Sequence, residues 1–159
     1  MGILSYVREE INVIRERDPA IKSNLEVFLY PSFKVILSYR VAHHLYRKKH
    51  FFLARWISQR AARKTGIEIH PGARIGKGLF IDHGSGVIIG ETAIIGNNVT
   101  LYQGVTLGSV VLNEVPPNCT VVGVPGRIVK RNDQKIPRTD LDQVHLPDPV
   151  LQDIRELQN

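Results

Sequence analysis

The chain has 159 residues, 43% apolar and 23% charged, which is the size of one domain and the balance of a folded rather than a disordered chain. No apolar run approaches the roughly 20 residues of a membrane span, and Met1–Tyr6 carries neither a basic-then-apolar leader nor the myristoylation pattern. The single cysteine, Cys119, excludes an intrachain disulfide and a cysteine-rich zinc cluster, so the expectation is a cytoplasmic protein with no membrane partner.

The formal net charge of +6 is uneven. Residues 1–66 carry 13 Lys/Arg against 5 Asp/Glu, and the rest of the chain is close to neutral. The densest cluster, Arg47-Lys48-Lys49-His50, has none of the interleaved aromatic or glycine pattern of a nucleic-acid reader. A solvated helical face is the reading, and no nucleic-acid partner is expected.

Residues 3–65 read as helical. Tyr6, Val7, Ile11, Val13 and Ile14 recur at helical spacing. Asp18-Pro19-Ala20 reads as a helix restart, with Asp as N-cap and Pro at the first helical position. Asn24–Lys49 carries apolar residues at every third or fourth place, and Pro31 must begin a new helix or kink the old one. Phe51–Lys64 is a third helical stretch, with Gly66 as its stop.

From Gly66 the helical period gives way to a period of six. Ile69, Ile75, Ile81, Val87, Ala93, Val99, Val105 and Val111 fall six apart, and Ile89, Ile95, Leu101 and Leu107 form a second set. Sixfold repeats are a signature of a parallel β-helix, in which three short strands and turns close one coil of about eighteen residues. The aliphatic positions then stack into an interior column. Pro116, Pro117 and Pro125 are expected to end the coil because proline cannot donate to a ladder. Arg127–Lys135 would cap it, and a loosely held tail with a short helix over 150–157 would follow. The organisation is a helical cap and oligomerisation region over 1–65, a β-helix carrying the chemistry over 66–130, and a tail over 131–159.

Several segments go beyond the repeat itself. These are Ile67-Glu68-Ile69-His70-Pro71-Gly72-Ala73, Ile81-Asp82-His83-Gly84-Ser85-Gly86, Ile89-Gly90-Glu91-Thr92-Ala93 and Gln103-Gly104-Val105-Thr106-Leu107-Gly108. With Arg17-Asp18-Pro19-Ala20 and Gly123-Val124-Pro125-Gly126-Arg127, they resemble the bacterial serine O-acetyltransferases of the hexapeptide-repeat acyltransferase family. The resemblance implies an α + β fold: an α-helical cap, then a left-handed parallel β-helix, assembled as a homotrimer or a dimer of trimers. It also marks a departure. After Gly108 the family continues with a glycine, a Lys-rich loop, an Arg-His-Pro step and further hexads, and about forty such residues have no counterpart here. In the family the Arg-His pair meets the substrate carboxylate, and the later coils line part of the coenzyme A groove. Val105 and Val111 remain six apart, so the coil is expected to close across the gap in phase.

The implied reaction is acetyl transfer from acetyl-coenzyme A to the hydroxyl of L-serine, in cysteine biosynthesis. A serine hydroxyl needs a base near neutral pH, and histidine suits that task. The resemblance makes His83 the general base and Glu68 the carboxylate that orients it. It makes Asp18 and Asp82 the holders of the substrate ammonium. Gly108 and Gly126 become candidates for close approach of coenzyme A to the backbone, and Arg127 and Lys130 for its phosphates. Cys119 reads as structural. No metal is expected: the repeat region has only His70 and His83, and His43 and His44 are adjacent on a helix and face apart. Two other readings stay open. One is an acetyltransferase with a sugar or antibiotic acceptor, and the other is a shortened, catalytically impaired subunit. Docking to cysteine synthase is a weaker expectation, because tails that dock end in Ile and this chain ends Leu157-Gln158-Asn159.

Overall fold

The computed structural model describes residues 3–108, 114–123 and 126–136. Helix α1 spans Ile3–Arg17, α2 Pro31–Arg47 and α3 Phe51–Thr65, with a 3-10 turn over Glu26–Leu29. Pro31 takes the first position of α2, where a missing N–H costs nothing. It therefore starts a helix rather than kinking one, and the apolar run before it yields only the 3-10 turn. Gly66 closes α3 in the left-handed region (φ 72°), donating its N–H to the Ala62 carbonyl. The restart at Asp18 does not occur. Asp18 Oδ1 accepts the Ala20 N–H at 2.8 Å, a local turn, and no helix begins there.

Beyond Gly66 the described residues wind through nine short strands: β1 Glu68–Ile69, β2 Arg74–Ile75, β3 Phe80–Ile81, β4 Ile88–Ile89, β5 Ile94–Ile95, β6 Thr100–Leu101, β7 Thr106–Leu107, β8 Glu114–Val115 and β9 Cys119–Val122. Each strand pairs in parallel with the third strand after it, giving the ladders β1-β4-β7, β2-β5-β8 and β3-β6-β9. That pattern is a three-sided coil with its side chains packed inside. The second residue of β1 to β8 and the third of β9 form one buried column, from Ile69, Ile75 and Ile81 through Ile89, Ile95, Leu101 and Leu107 to Val115 and Val121. A second column, two residues earlier, runs through Ile67, Ala73, Leu79, Val87, Ala93, Val99 and Val105 to Cys119.

The single sixfold run is corrected by this arrangement. Ile81 belongs to the first column and Val87 to the second, so the run changes column between them. The register gives the reason. Ile81 pairs with Leu101, twenty residues on, while Ile89 pairs with Leu107, eighteen on. The turn between β3 and β4 is thus two residues longer than a plain corner. The in-phase closure through Val111 is corrected too: among the described residues the interior strand residue that follows Leu107 is Val115, eight on, opposite Ile95. Val111 itself lies outside the described residues.

Pro116 and Pro117 do not end the coil. They occupy the corner between β8 and β9, where no ladder donor is needed, and β9 continues the ladder beside β6. The coil ends instead where β10 (Arg127–Arg131) folds back antiparallel on β9 and β11 (Gln134–Lys135) on β10. This hairpin is the expected basic cap, and it carries the chain past residue 130. The proposed helix over 150–157 lies outside the described residues.

The helices lie against the coil. Val13, Ile14, Val27 and Phe33 bury Phe80, which points outward from β3. Ala54, Ser58 and Ala61, spaced four and three apart, make one close-packing face of α3, and Ser58 Oγ donates to the Ile69 carbonyl. The end of α1 is pinned by Arg17, whose Nη1 donates to the Val99 carbonyl (3.2 Å) and to Thr100 Oγ1 (2.9 Å). Among the described residues no helix is long and apolar enough to cross a membrane.

Candidate active site

His83 sits in the long turn that joins β3 to β4. Close packing shapes this turn: a Cβ on Gly84 would stand 2.4 Å from Ile67 Cδ1 and 2.9 Å from Ile81 Cγ2, so any larger residue forces the turn or the core side chains to shift. The turn is tied down by the Gly86 N–H on the Gly66 carbonyl (3.0 Å) and the Val87 N–H on the Gly84 carbonyl (3.1 Å). His83 itself adopts φ 48°, a left-handed conformation that costs a non-glycine residue some backbone energy and that concentrates at functional positions. Its side chain is 82% exposed, and Nε2 lies 3.7 Å from Asp82 Oδ1.

Asp18 faces the same place from the helical cap. Its Oδ2 accepts the Tyr30 hydroxyl at 2.5 Å and its Oδ1 the Ala20 N–H at 2.8 Å. The Tyr30 bond first, then the Ala20 bond, hold the Asp18 carboxyl below the usual carboxylate range, so it is ionised at neutral pH. The same bond pushes the Tyr30 phenol up to about 12, so Tyr30 remains a donor. Asp18, Tyr30, Asp82 and His83 share a cavity of about 650 Å³ between the cap and the coil. A neighbouring cavity of about 760 Å³ runs over the outer face of β3 and β6, and Arg17 and Asp82 line both.

The other expected residues lie as follows. Glu68 stands on β1, beside the strand that follows the His83 turn. Its Oε1 accepts from Gln59 Nε2 at 3.2 Å, and among the described residues it makes no hydrogen bond with His83. Gly108 (φ 77°) and Gly126 flank β7: the Gly108 carbonyl accepts from Thr92 Oγ1, and the Gly126 N–H donates to the Thr106 carbonyl at 3.3 Å. Arg127 and Lys130 stand on β10, opposite Val122 and Thr120 of β9. Cys119 is buried in the second interior column, and burial pushes its thiol up. His70 accepts the Gly72 N–H on Nδ1 at 3.0 Å, and burial, then Arg55, holds its pKa down. His43 Nδ1 lies 2.8 Å from the Pro71 carbonyl. No group of three metal-ligating side chains occurs among the described residues.

Tyr30 and Arg17 were not singled out individually from the sequence. Tyr30 precedes Pro31 with no motif of its own, and nothing local ties it to Asp18, twelve residues earlier. Arg17 has no signal of its own beyond its place in the Arg17–Ala20 segment.

No protein-family model matches the chain. A serine acetyltransferase of Bacillus licheniformis is 45% identical to it over 194 aligned positions, covering 96% of this chain and 89% of that protein. The chain belongs to the serine acetyltransferase family. The alignment is longer than the chain, so about forty of its positions have no residue here, in line with the gap read after Gly108. Among solved structures, the Neisseria gonorrhoeae serine acetyltransferase in complex with serine superposes with a TM-score of 0.66 at 31% identity, over 80% of this chain and 69% of that one. The Brucella abortus serine acetyltransferase in complex with coenzyme A gives 0.63 at 30% identity, over 80% and 68%.

Proposed function

We propose that the chain transfers the acetyl group of acetyl-coenzyme A to the hydroxyl of L-serine, giving O-acetylserine for cysteine biosynthesis. The observation that carries this reading is one cavity holding an exposed histidine between two carboxylates, in a chain of this family. Asp18 and Asp82 offer negative charge for the substrate ammonium, and Tyr30 holds Asp18 in place. The His83 imidazole takes the proton of the substrate hydroxyl as its oxygen attacks the thioester carbonyl. The C–O bond forms, the C–S bond breaks, and the coenzyme thiolate leaves with the proton that His83 returns. Glu68, on β1 beside β4, is assigned to stabilise the imidazolium, a role that requires it to leave Gln59. Gly108 and Gly126 remain the candidates beside β7 for the pantetheine arm, although a Cβ on either would pack against the coil rather than into open space, with Arg127 and Lys130 on the hairpin for the phosphates.

The left-handed winding of the coil, the division into residues 1–65, 66–130 and 131–159, and a cytoplasmic location belong to the same reading. So does assembly as a homotrimer or a dimer of trimers. Leu25, Leu29, Phe52 and Trp56 are large apolar side chains left exposed on the helical cap, as an assembly would require.

The test is thiol release from acetyl-coenzyme A in the presence of L-serine, for the wild type and His83→Ala. Serine-dependent release that drops by 10²-fold or more in the variant supports the reading. Release with a sugar or aminoglycoside acceptor instead of serine assigns another acceptor. No release from a folded, oligomeric wild type means that the residues absent after Gly108 are essential and the chain is an impaired subunit.

A further inference from the structure

Helix α1 rests on the rest of the molecule through a narrow seam. Among its described residues only Glu10, Val13 and Ile14 are buried, with Val7 and Ile11 half-buried beside them. One member of that seam is a carboxyl, and neither Glu10 oxygen has a hydrogen-bond partner. On α1, Glu9 Oε1 accepts the Gly78 N–H at 3.0 Å. On α2, Arg40 donates from Nη1 and Nη2 to the Ile75 and Gly76 carbonyls, and its Nε is buried without a partner. Among the described residues Arg40 and Glu9 are the charges that act on Glu10; the coil contributes none, and no ion pair forms with Arg40. A carboxyl in such a place is seated cheaply only while it keeps its proton.

The same helix leads into the site. Ile14 lies four residues after Glu10, on the same face. Its side chain is in the seam, and its carbonyl accepts the Asp18 N–H at 2.9 Å. Asp18 thus continues the last turn of α1, and its carboxylate reaches Tyr30 and the cavity of the His83 turn.

We infer that Glu10 is a positioning residue: its protonation seats α1 and thereby holds Asp18 at the acceptor cavity, which makes acceptor binding sensitive to pH. This rests on the reading of that cavity as the acceptor site. Burial holds the seated carboxyl at about 7, above its ordinary value. Seating is therefore firmest below the ordinary carboxyl range, weakens as pH rises toward 7, and is level above that. The cost of ionising Glu10 is comparable to what one buried aliphatic side chain contributes, a large share of a seam whose fully buried aliphatics are Val13 and Ile14. When α1 lifts, the substrate ammonium loses Asp18 but keeps Asp82, and His83 stays on the coil. The KM for serine rises, while the KM for acetyl-coenzyme A does not.

The experiment is hydrogen exchange of the α1 amides, corrected for intrinsic exchange, in wild type and Glu10→Gln at pH 5.5 and 8, with the α3 amides as internal reference. Wild-type α1 should open about tenfold more at pH 8 than at pH 5.5 while α3 stays as protected, and the variant should change by no more than about twofold. The KM for serine, wild type over variant, should be near one at pH 5.5 and at least about threefold at pH 8. Equal α1 protection at both pH values in the wild type overturns the inference. So does a variant that opens with pH as the wild type does, joint opening of α1 and α3, or a KM ratio that ignores pH. Should Glu10→Gln fail to fold, the wild-type exchange decides alone: α1 opening that rises with pH supports the inference, and uniform protection overturns it. If neither protein uses serine, the proposed function fails separately, and the exchange result still decides for Glu10 by the same outcomes.

Discussion

Glu10 is a buried carboxyl on α1 with 1% of its surface exposed, and neither carboxylate oxygen has a hydrogen-bond partner. Burial raises its pKa from 4.5 to about 7; Arg40 opposes the rise and Glu9 adds to it. Arg40 makes no hydrogen bond to it: Nη1 and Nη2 donate to the Ile75 and Gly76 carbonyls, and Nε is itself buried without a partner. A folded-state pKa above the unfolded value means that the native protein binds the extra proton between the two. Stability is therefore full below about pH 4.5, falls as pH rises toward 7, and is level above that. The shift corresponds to about 3 kcal/mol. Glu10→Gln keeps the shape and removes the titration, and Arg40 keeps both carbonyls. Urea unfolding of wild type and variant at pH 4.5, 5.5, 6.5 and 8, at one protein concentration, gives the difference directly. The variant should gain about 3 kcal/mol on the wild type between the ends of the series, most of it between pH 5 and 7. A difference independent of pH would refute the reasoning. So would one that moves the other way, which would mean that Glu10 is ionised and paired with Arg40 in solution.

Three further outcomes concern the site. His83→Asn should fold with its thermal midpoint within a few degrees of wild type, because asparagine tolerates positive φ. It should lose at least 10²-fold in serine-dependent turnover, a loss of chemistry without a loss of fold. Tyr30→Phe removes the hydroxyl from Asp18 and should raise the KM for serine about five- to tenfold, the equivalent of about 1 kcal/mol, with the KM for acetyl-coenzyme A unchanged. Gly84→Ala drives a methyl into Ile67 and should cost about 1–3 kcal/mol in urea unfolding. It should also lower kcat, because relief of the clash moves the turn that carries His83.

What was legible in the chain alone was whatever repeats or is local. Pro31 and Gly66 announced helix ends because a missing N–H and a missing Cβ act on their own backbone. The period of six announced the coil because each corner solves the same packing problem. The family segments announced His83, Asp82 and Asp18 as a set. Counting by six could not see that Ile81 and Val87 lie in different columns. Two apolar columns two residues apart make a two-residue insertion invisible to the count, and only the strand register exposes it. The same blindness made Val111 look in phase, when Val115 is the residue opposite Ile95. The prolines at 116 and 117 carry no fixed meaning in the sequence, because their cost depends on whether they fall on a strand or a corner, which the coil decides. The grouping at the cavity is tertiary throughout. Tyr30 meets Asp18, and Arg17 reaches Val99 and Thr100, across separations of 12, 82 and 83 residues. Those contacts exist because α1 and α2 bury Val13, Ile14 and Phe33 against Phe80 on the outside of the coil, and so carry the Asp18 carboxylate to the cavity of the His83 turn and the Arg17 guanidinium onto β6.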